Sequence, residues 1–231
     1  MSMSRSLLRG LRLAPLCAPL LFAACGVIIY DISNRALILE PVERIVFDSD
    51  HGGVEVYAFN RTAISLFFYL TGYETGIGDV GHSLNGDVLN AFILCEGDDL
   101  CNANFSAEVP LGTEVEVHAA SGDVKLIGVD ATVTAVVGAG AVDGVGLGSP
   151  IFELELATGD VTLEWASPPS QVQIAVATGS VTLTLPAGTY DCDFTAADGA
   201  VDNQGITCDP GSPARVSISV QSGDIVVQGA P

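Results

Sequence analysis

Positive charge is scarce in this chain. Eight lysines and arginines stand against 28 aspartates and glutamates, for a formal net charge of −20. A surface of that sign repels nucleic acid and anionic lipid headgroups. Three of the eight bases (Arg5, Arg9 and Arg12) precede Ala14, leaving five bases for the rest of the chain. Histidine is limited to His51, His82 and His118, and there is no HExxH, Gly-x-Ser-x-Gly or phosphate-loop pattern to organise chemistry. Aromatics make up 6% of residues, with Trp165 the single tryptophan. That is thin for a polysaccharide-acting enzyme, which sets paired carboxylates among sugar-stacking rings. Charged residues of both signs are only 16% while apolar residues are 48%, with a mean hydropathy of +0.46. A disordered acidic tail has the opposite balance, so the acids decorate a folded surface around a real core.

An uninterrupted apolar span is also missing. The stretch Leu13–Ala24 follows the basic segment and has the length of a signal-peptide core, short of a comfortable membrane crossing. It ends in Leu21-Phe22-Ala23-Ala24-Cys25-Gly26, which resembles the bacterial lipobox, with Phe22 where the pattern prefers leucine. The resemblance implies lipidation of Cys25 and attachment to a membrane, with each buried methylene adding about 0.8 kcal/mol. Cys17 fits the pattern less well. Two rivals stay open: an uncleaved anchor continuing through Val27-Ile28-Ile29-Tyr30, or cleavage by a type I peptidase. All three export the chain. Gly26 in place of an aspartate after the cysteine favours the outer membrane. The expected organisation is a signal peptide over 1–24, a lipidated N-terminus and tether over 25–42, and one domain over 43–229.

Four further cysteines suit an oxidising compartment. Cys95 and Cys101 bracket an acidic loop, while Cys192 and Cys208 bracket the Asp198-Gly199 turn. Local pairing, 95 with 101 and 192 with 208, is the simplest of three connectivities. No CxxC or neighbouring histidine points to a metal instead.

Repetition carries the fold. Val117-His-Ala-Ala-Ser-Gly-Asp-Val-Lys-Leu126, Leu154-Glu-Leu-Ala-Thr-Gly-Asp-Val-Thr-Leu163, Ile174-Ala-Val-Ala-Thr-Gly-Ser-Val-Thr-Leu183 and Ile218-Ser-Val-Gln-Ser-Gly-Asp-Ile-Val-Val227 align on Gly122, Gly159, Gly179 and Gly223. Weaker copies centre on Gly52, Gly140 and Gly199. Apolar residues alternate on both sides of each glycine, as in a strand with one face buried. Glycine accepts the turn because it has no Cβ. From Gly122 onward the glycines recur after 18, 19, 20, 20 and 24 residues. That near-twenty period predicts an all-β, single-domain β-solenoid. A hairpin would orient the same apolar positions inward, so an antiparallel sandwich or meander is the alternative. The runs Ile64–Leu70 and Val88–Leu94 read as strands of a larger unit or a cap. No helix is expected after residue 30.

The sequence Val109-Pro-Leu-Gly-Thr113, Val115-Glu-Val117 and Ser121-Gly-Asp-Val124 resembles the bacterial putative-adhesin domain family of unknown function. The likeness begins at Glu43-Arg-Ile-Val-Phe47 and Gly53-Val-Glu-Val56, and would cover 43–229. It implies a right-handed β-solenoid, an envelope location and a non-catalytic role.

Little is left for site chemistry. His51 lies near Asp48 and Asp50 in a turn and is expected to be an exposed turn residue; His118 falls on the outward parity of its strand. No cofactor is expected. Calcium is the candidate ion, because stacked units bring Asp123, Asp160 and Asp224 to corresponding corners and carboxylate oxygens suit it. Aspartate after glycine also serves turns without any ion. The functional expectation is a rigid acidic module that binds a protein or glycan partner, displayed from a membrane by its lipid. The alternatives are a periplasm-facing structural or regulatory protein and, behind it, an enzyme.

Overall fold

The structure, a computed structural model, describes residues 29–73, 77–95 and 101–230. Among them every regular element is a strand, and no helix is long and apolar enough to cross a membrane. The lipobox around Cys25 lies outside the described residues. Seven strands come first: β1 (Ile29–Ile38), β2 (Arg44–His51), β3 (Val54–Phe59), β4 (Ile64–Tyr73), β5 (Ile77–Asn85), β6 (Val88–Cys95) and β7 (Cys101–Pro110). Four pairs follow: β8 (Glu114–Ser121) with β9 (Val124–Ile127), β10 (Val133–Ala139) with β11 (Val142–Leu147), β12 (Ile151–Thr158) with β13 (Val161–Trp165), and β14 (Gln171–Thr178) with β15 (Val181–Leu185). The chain closes with β16 (Thr189–Asp198), β17 (Val201–Gln204), β18 (Thr207–Cys208), β19 (Arg215–Ser222) and β20 (Ile225–Gly229).

These strands build two ten-stranded mixed sheets. Sheet one runs β1-β4-β7-β3-β9-β11-β13-β15-β20-β17, and sheet two runs β18-β16-β19-β14-β12-β10-β8-β2-β6-β5. The two strands flanking each repeat glycine lie in different sheets, so they do not pair with each other as a hairpin would. Each pairs in parallel with its equivalent in the adjoining unit; Val133, for instance, stands between Val115 and Phe152. Antiparallel pairing among the described residues is confined to β1–β4, β4–β7 and β5–β6. Strand structure starts at Ile29, within the stretch that the sequence assigns to a tether.

Period-two alternation becomes rows of stacked apolar side chains. One row in sheet two is Phe47, Val117, Ala135, Leu154, Ile174 and Ile218; one in sheet one is Val54, Val124, Val142, Val161, Val181 and Ile225. Both enter a single core cluster and all are essentially inaccessible. Each such valine, leucine or isoleucine contributes about 1.5–3 kcal/mol by leaving water. Trp165 lies in the same core, edge-on to Phe152 at 5.4 Å, with its indole N–H donated to the Ser149 carbonyl.

Space and sequence order the units differently. The Gly223 unit (β19 and β20) sits between those of Gly179 and Gly199, although Gly199 comes earlier in the chain. At the opposite end the Gly52 unit lies against that of Gly122, and the intervening residues supply β6 and β7 outside it. The end at Gly199 is therefore closed by a segment interior to the sequence, and at the other end interior strands β4 to β7 lie outside the Gly52 unit together with β1. The reason is legible in the side chains of residues 189–208. Cys192, Phe194 and Ala196 are only partly buried, and Val201 is 45% exposed where its equivalents Val181 and Ile225 are 0%. A unit with an open side belongs at the end, and the Cys192–Cys208 disulfide cross-links this one. The expected pairing of Cys95 with Cys101 lies outside the described residues, because their side chains and residues 96–100 are not among them.

A seam of glycines runs the length of the stack. In spatial order it reads Gly52, Gly122, Gly140, Gly159, Gly179, Gly223 and Gly199. A Cβ on any of the last six would overlap the carbonyl oxygen of the glycine before it. Six of the seven also hold φ between 124° and 146°, which side chains resist. Glycine is thus required twice over, by conformation and by the approach of a neighbouring backbone. Gly159→Ala should cost more than about 4 kcal/mol in urea denaturation. Gly146→Ala, also at positive φ but with open space around its Cβ, should cost about 1–2 kcal/mol. Equal losses would mean that the seam's close approach adds nothing.

Candidate binding surface

The turns leave one backbone donor out of the ladder, and the acids flagged for calcium take it up. At each turn the glycine N–H and the N–H two residues later donate to the next unit, as in Gly140 to the Thr158 carbonyl and Val142 to the Asp160 carbonyl. The N–H between them points the other way. Asp123 Oδ1 accepts it from Ala141, Asp160 Oδ1 from Ser180 and Asp224 Oδ1 from Ala200, each at 2.8 Å. Asn104 Oδ1 does the same for Gly53 at 2.8 Å.

Read in space, the positions after the glycines alternate between a small residue and an aspartate: Gly53, Asp123, Ala141, Asp160, Ser180, Asp224, Ala200, with the Ser180 hydroxyl accepting from the Asp224 N–H at 3.4 Å. Neighbouring strands lie about 4.8 Å apart, so successive carboxylates stand about 10 Å apart. Doubling the separation halves their repulsion. It also keeps them from sharing a calcium ion, whose ligands sit about 2.4 Å from the metal. The three carboxylates named as calcium candidates, Asp123, Asp160 and Asp224, are engaged as inter-unit pegs. Among the described residues no group of three or more histidine, cysteine, aspartate or glutamate side chains is placed to hold a metal.

The histidines fall on ladder positions. His51 pairs in register with Ser121, and its Nδ1 lies 2.7 Å from the Ser121 hydroxyl. His118 faces outward, with Nε2 2.9 Å from Glu116 of its own strand. Sequence reasoning left His51 as a turn residue and missed this serine contact, which no local pattern announces because the partners are 70 residues apart.

Sheet two carries a shallow groove of about 790 Å³ on its outer side, lined by Asp48, Asp50, Asn90, Phe92, His118 and Val136 among others. It exists because the adjoining rows are small: Ala119, Ala120 and Gly138 also line it, and a Cβ on Gly138 would overlap the Ala120 carbonyl. Acids dominate the same face, with Asp48, Glu114, Glu116, Glu153, Glu155 and Asp193 against Arg44 and Arg215. Arg44 bridges to Glu114 at 3.1 Å and to Glu116 at 3.6 Å. Sheet one differs on its outer side. There Tyr57 donates its hydroxyl to Glu55 at 2.9 Å and stacks parallel to Phe59, 6.4 Å between centroids. The hydrogen bond to Glu55, with burial and the carboxylate's charge behind it, pushes the Tyr57 phenol above its ordinary value of 10.0.

No family model matches the chain, and no curated protein does. Among solved structures the chain is similar to a putative cell adhesion protein from Clostridium sporogenes, with a TM-score of 0.47, 11% identity, and coverage of 86% of this chain and 100% of that one. It is also similar to a putative adhesin from Bacteroides fragilis, with a TM-score of 0.40, 12% identity, and coverage of 87% and 97%. A putative adhesin from Parabacteroides merdae gives 0.37, 13%, 87% and 96%.

The peg assignment makes a measurable distinction. Asp160→Ala, which strands the Ser180 N–H, should lose about 1 kcal/mol of unfolding free energy. Asp160→Asn keeps an acceptor oxygen and should lose less than half of that. Millimolar calcium should leave the melting temperature of the parent chain unmoved, since bound ligand would raise it; a calcium-dependent rise lost in Asp160→Asn would restore the ion.

Proposed function

We propose that the chain is a non-catalytic lipoprotein of the cell envelope, held by a lipid on Cys25, whose stacked units wind as a right-handed β-solenoid and display an acidic face for adhesion or binding. Supporting the winding is the alternation of successive strands between the two sheets from β7 to β17, with parallel ladders joining equivalent strands. The observation that carries the binding role is the division of labour among the acids. Asp123, Asp160 and Asp224 are engaged in the seam, while those of sheet two stand in registered outward rows beside the groove. A rigid, regularly spaced acidic surface with an apolar floor at Phe92 and Val136 suits a partner that offers cationic and apolar groups together. A cationic segment of a protein, or a basic glycan, has that character.

Attachment and exposure are tested separately. Cys25→Ala should move the protein from the membrane fraction to the soluble fraction after cell lysis, read by immunoblot; retention in the membrane would overturn lipidation at Cys25. Protease added to intact cells, probed with an antibody to residues 153–165, should remove the epitope if the acidic face is displayed outward. Protection until lysis would replace adhesion with a periplasm-facing structural or regulatory role. A lysed control is needed because such ladders resist proteolysis.

A further inference from the structure

We infer that the outer face of sheet one, over its first six strands from β1 to β11, rests on the lipid bilayer. This rests on the anchoring reading above and adds to it a defined orientation.

Register fixes which side chains share that face. Leu37 stands beside Ser65, Ser65 beside Glu108, Glu108 beside Tyr57, Tyr57 beside Ile127 and Ile127 beside Val145. The next row holds Arg35, Phe67, Ser106, Glu55 and Lys125. Tyr69 follows one step along β4, and Leu39 continues the parity of Leu37. Among the described residues, large apolar side chains left substantially in water concentrate here. Phe59, Phe67 and Tyr69 are the exposed aromatic ones, and Leu37 and Leu39 are 60% and 71% accessible. A run of this kind on an isolated soluble surface calls for a partner.

Three further observations identify the partner as lipid. The first is reach: Cys25 precedes Ile29 by four residues, at most about 14 Å of extended chain. A lipid on that cysteine holds β1, the edge of this very face, against the membrane surface. The second is charge. Arg35, Arg61 and Lys125 stand against Asp31, Glu55, Glu108 and Asp143 at positions of that parity or beside it, with Arg61 paired to Glu108. Sheet two has a large acidic excess, so the face of sheet one, where bases nearly match acids, is the one that an anionic headgroup layer tolerates better. The third is chemistry. Aromatic rings flanked by arginine and lysine are the side chains that settle at a membrane–water interface, rings at headgroup depth and cations reaching the phosphates. The orientation leaves the groove of sheet two on the far side, facing the medium.

The test uses the full lipidated chain, purified from membranes and reconstituted into phosphatidylcholine vesicles with or without bromine on the acyl chains. Single tryptophans are placed by Phe67→Trp and Leu37→Trp on the proposed contact face and by Val136→Trp on sheet two. Trp165 is buried and gives a constant background. Thermal melts check that each variant stays folded, and two contact positions guard against one failing. Emission from Phe67→Trp or Leu37→Trp should fall about twofold in brominated vesicles while Val136→Trp stays within a tenth of its value. Protein that sediments with the vesicles yet shows no selective quenching would overturn the orientation and leave the anchor standing. Protein that fails to sediment would overturn the anchor, and the orientation with it.

Discussion

Backbone approach at the turns sets the terms for everything else in this molecule. Each unit beyond that of Gly52 carries a glycine whose missing Cβ is the space occupied by the carbonyl of the unit before it. Any side chain there would push adjacent turns apart and pull the flanking ladders out of hydrogen-bonding distance. With glycine, the turn N–H groups continue the ladder from one sheet into the other. The apolar rows then stack without interruption, and a Cα–H directed at the neighbouring carbonyl adds a small favourable contact. Units of this kind interact with nearest neighbours, so stability accumulates along one dimension.

The pegs and the end units follow from that seam. A close turn leaves one N–H pointing back along the stack, and a carboxylate or amide from the preceding unit reaches it. Acids at every second step repel about half as strongly as acids at every step would. The exchanged spatial order of the Gly223 and Gly199 units preserves this alternation, setting Asp224 between Ser180 and Ala200. Sequence order would have put Ser180 against Ala200 and left the donor of Ala200 without its carboxylate. The same exchange places the disulfide-linked, partly polar unit where one side is open to water.

Outside the core the two sheets diverge in character. Sheet two presents acids in register around a shallow groove, whereas the first six strands of sheet one present aromatic and aliphatic side chains interspersed with charges of both signs. A domain more apolar and less acidic on one face than on the other is fitted to the orientation inferred above. The lipid anchor proposed at Cys25, four residues before Ile29, belongs to the same logic.

The all-β class, the inward parity of each strand, the outward placement of Glu153, Glu155, Thr162 and Glu164 and the positions of the turn glycines were all determined by the sequence. Each rests on alternation or turn chemistry within about ten residues. The local Cys192–Cys208 pairing was legible for the same reason. Tertiary structure alone decided the rest. Whether strands flanking a glycine pair with each other or with the next unit depends on contacts about twenty residues away, which local pattern leaves equal. The order of the end units, the His51–Ser121 contact and the use of Asp123, Asp160 and Asp224 as pegs all depend on which backbone lies alongside. A carboxylate has the same local sequence whether it faces a cation or an amide. Only the neighbouring unit, by presenting a hydrogen-bond donor at 2.8 Å, settles which it does.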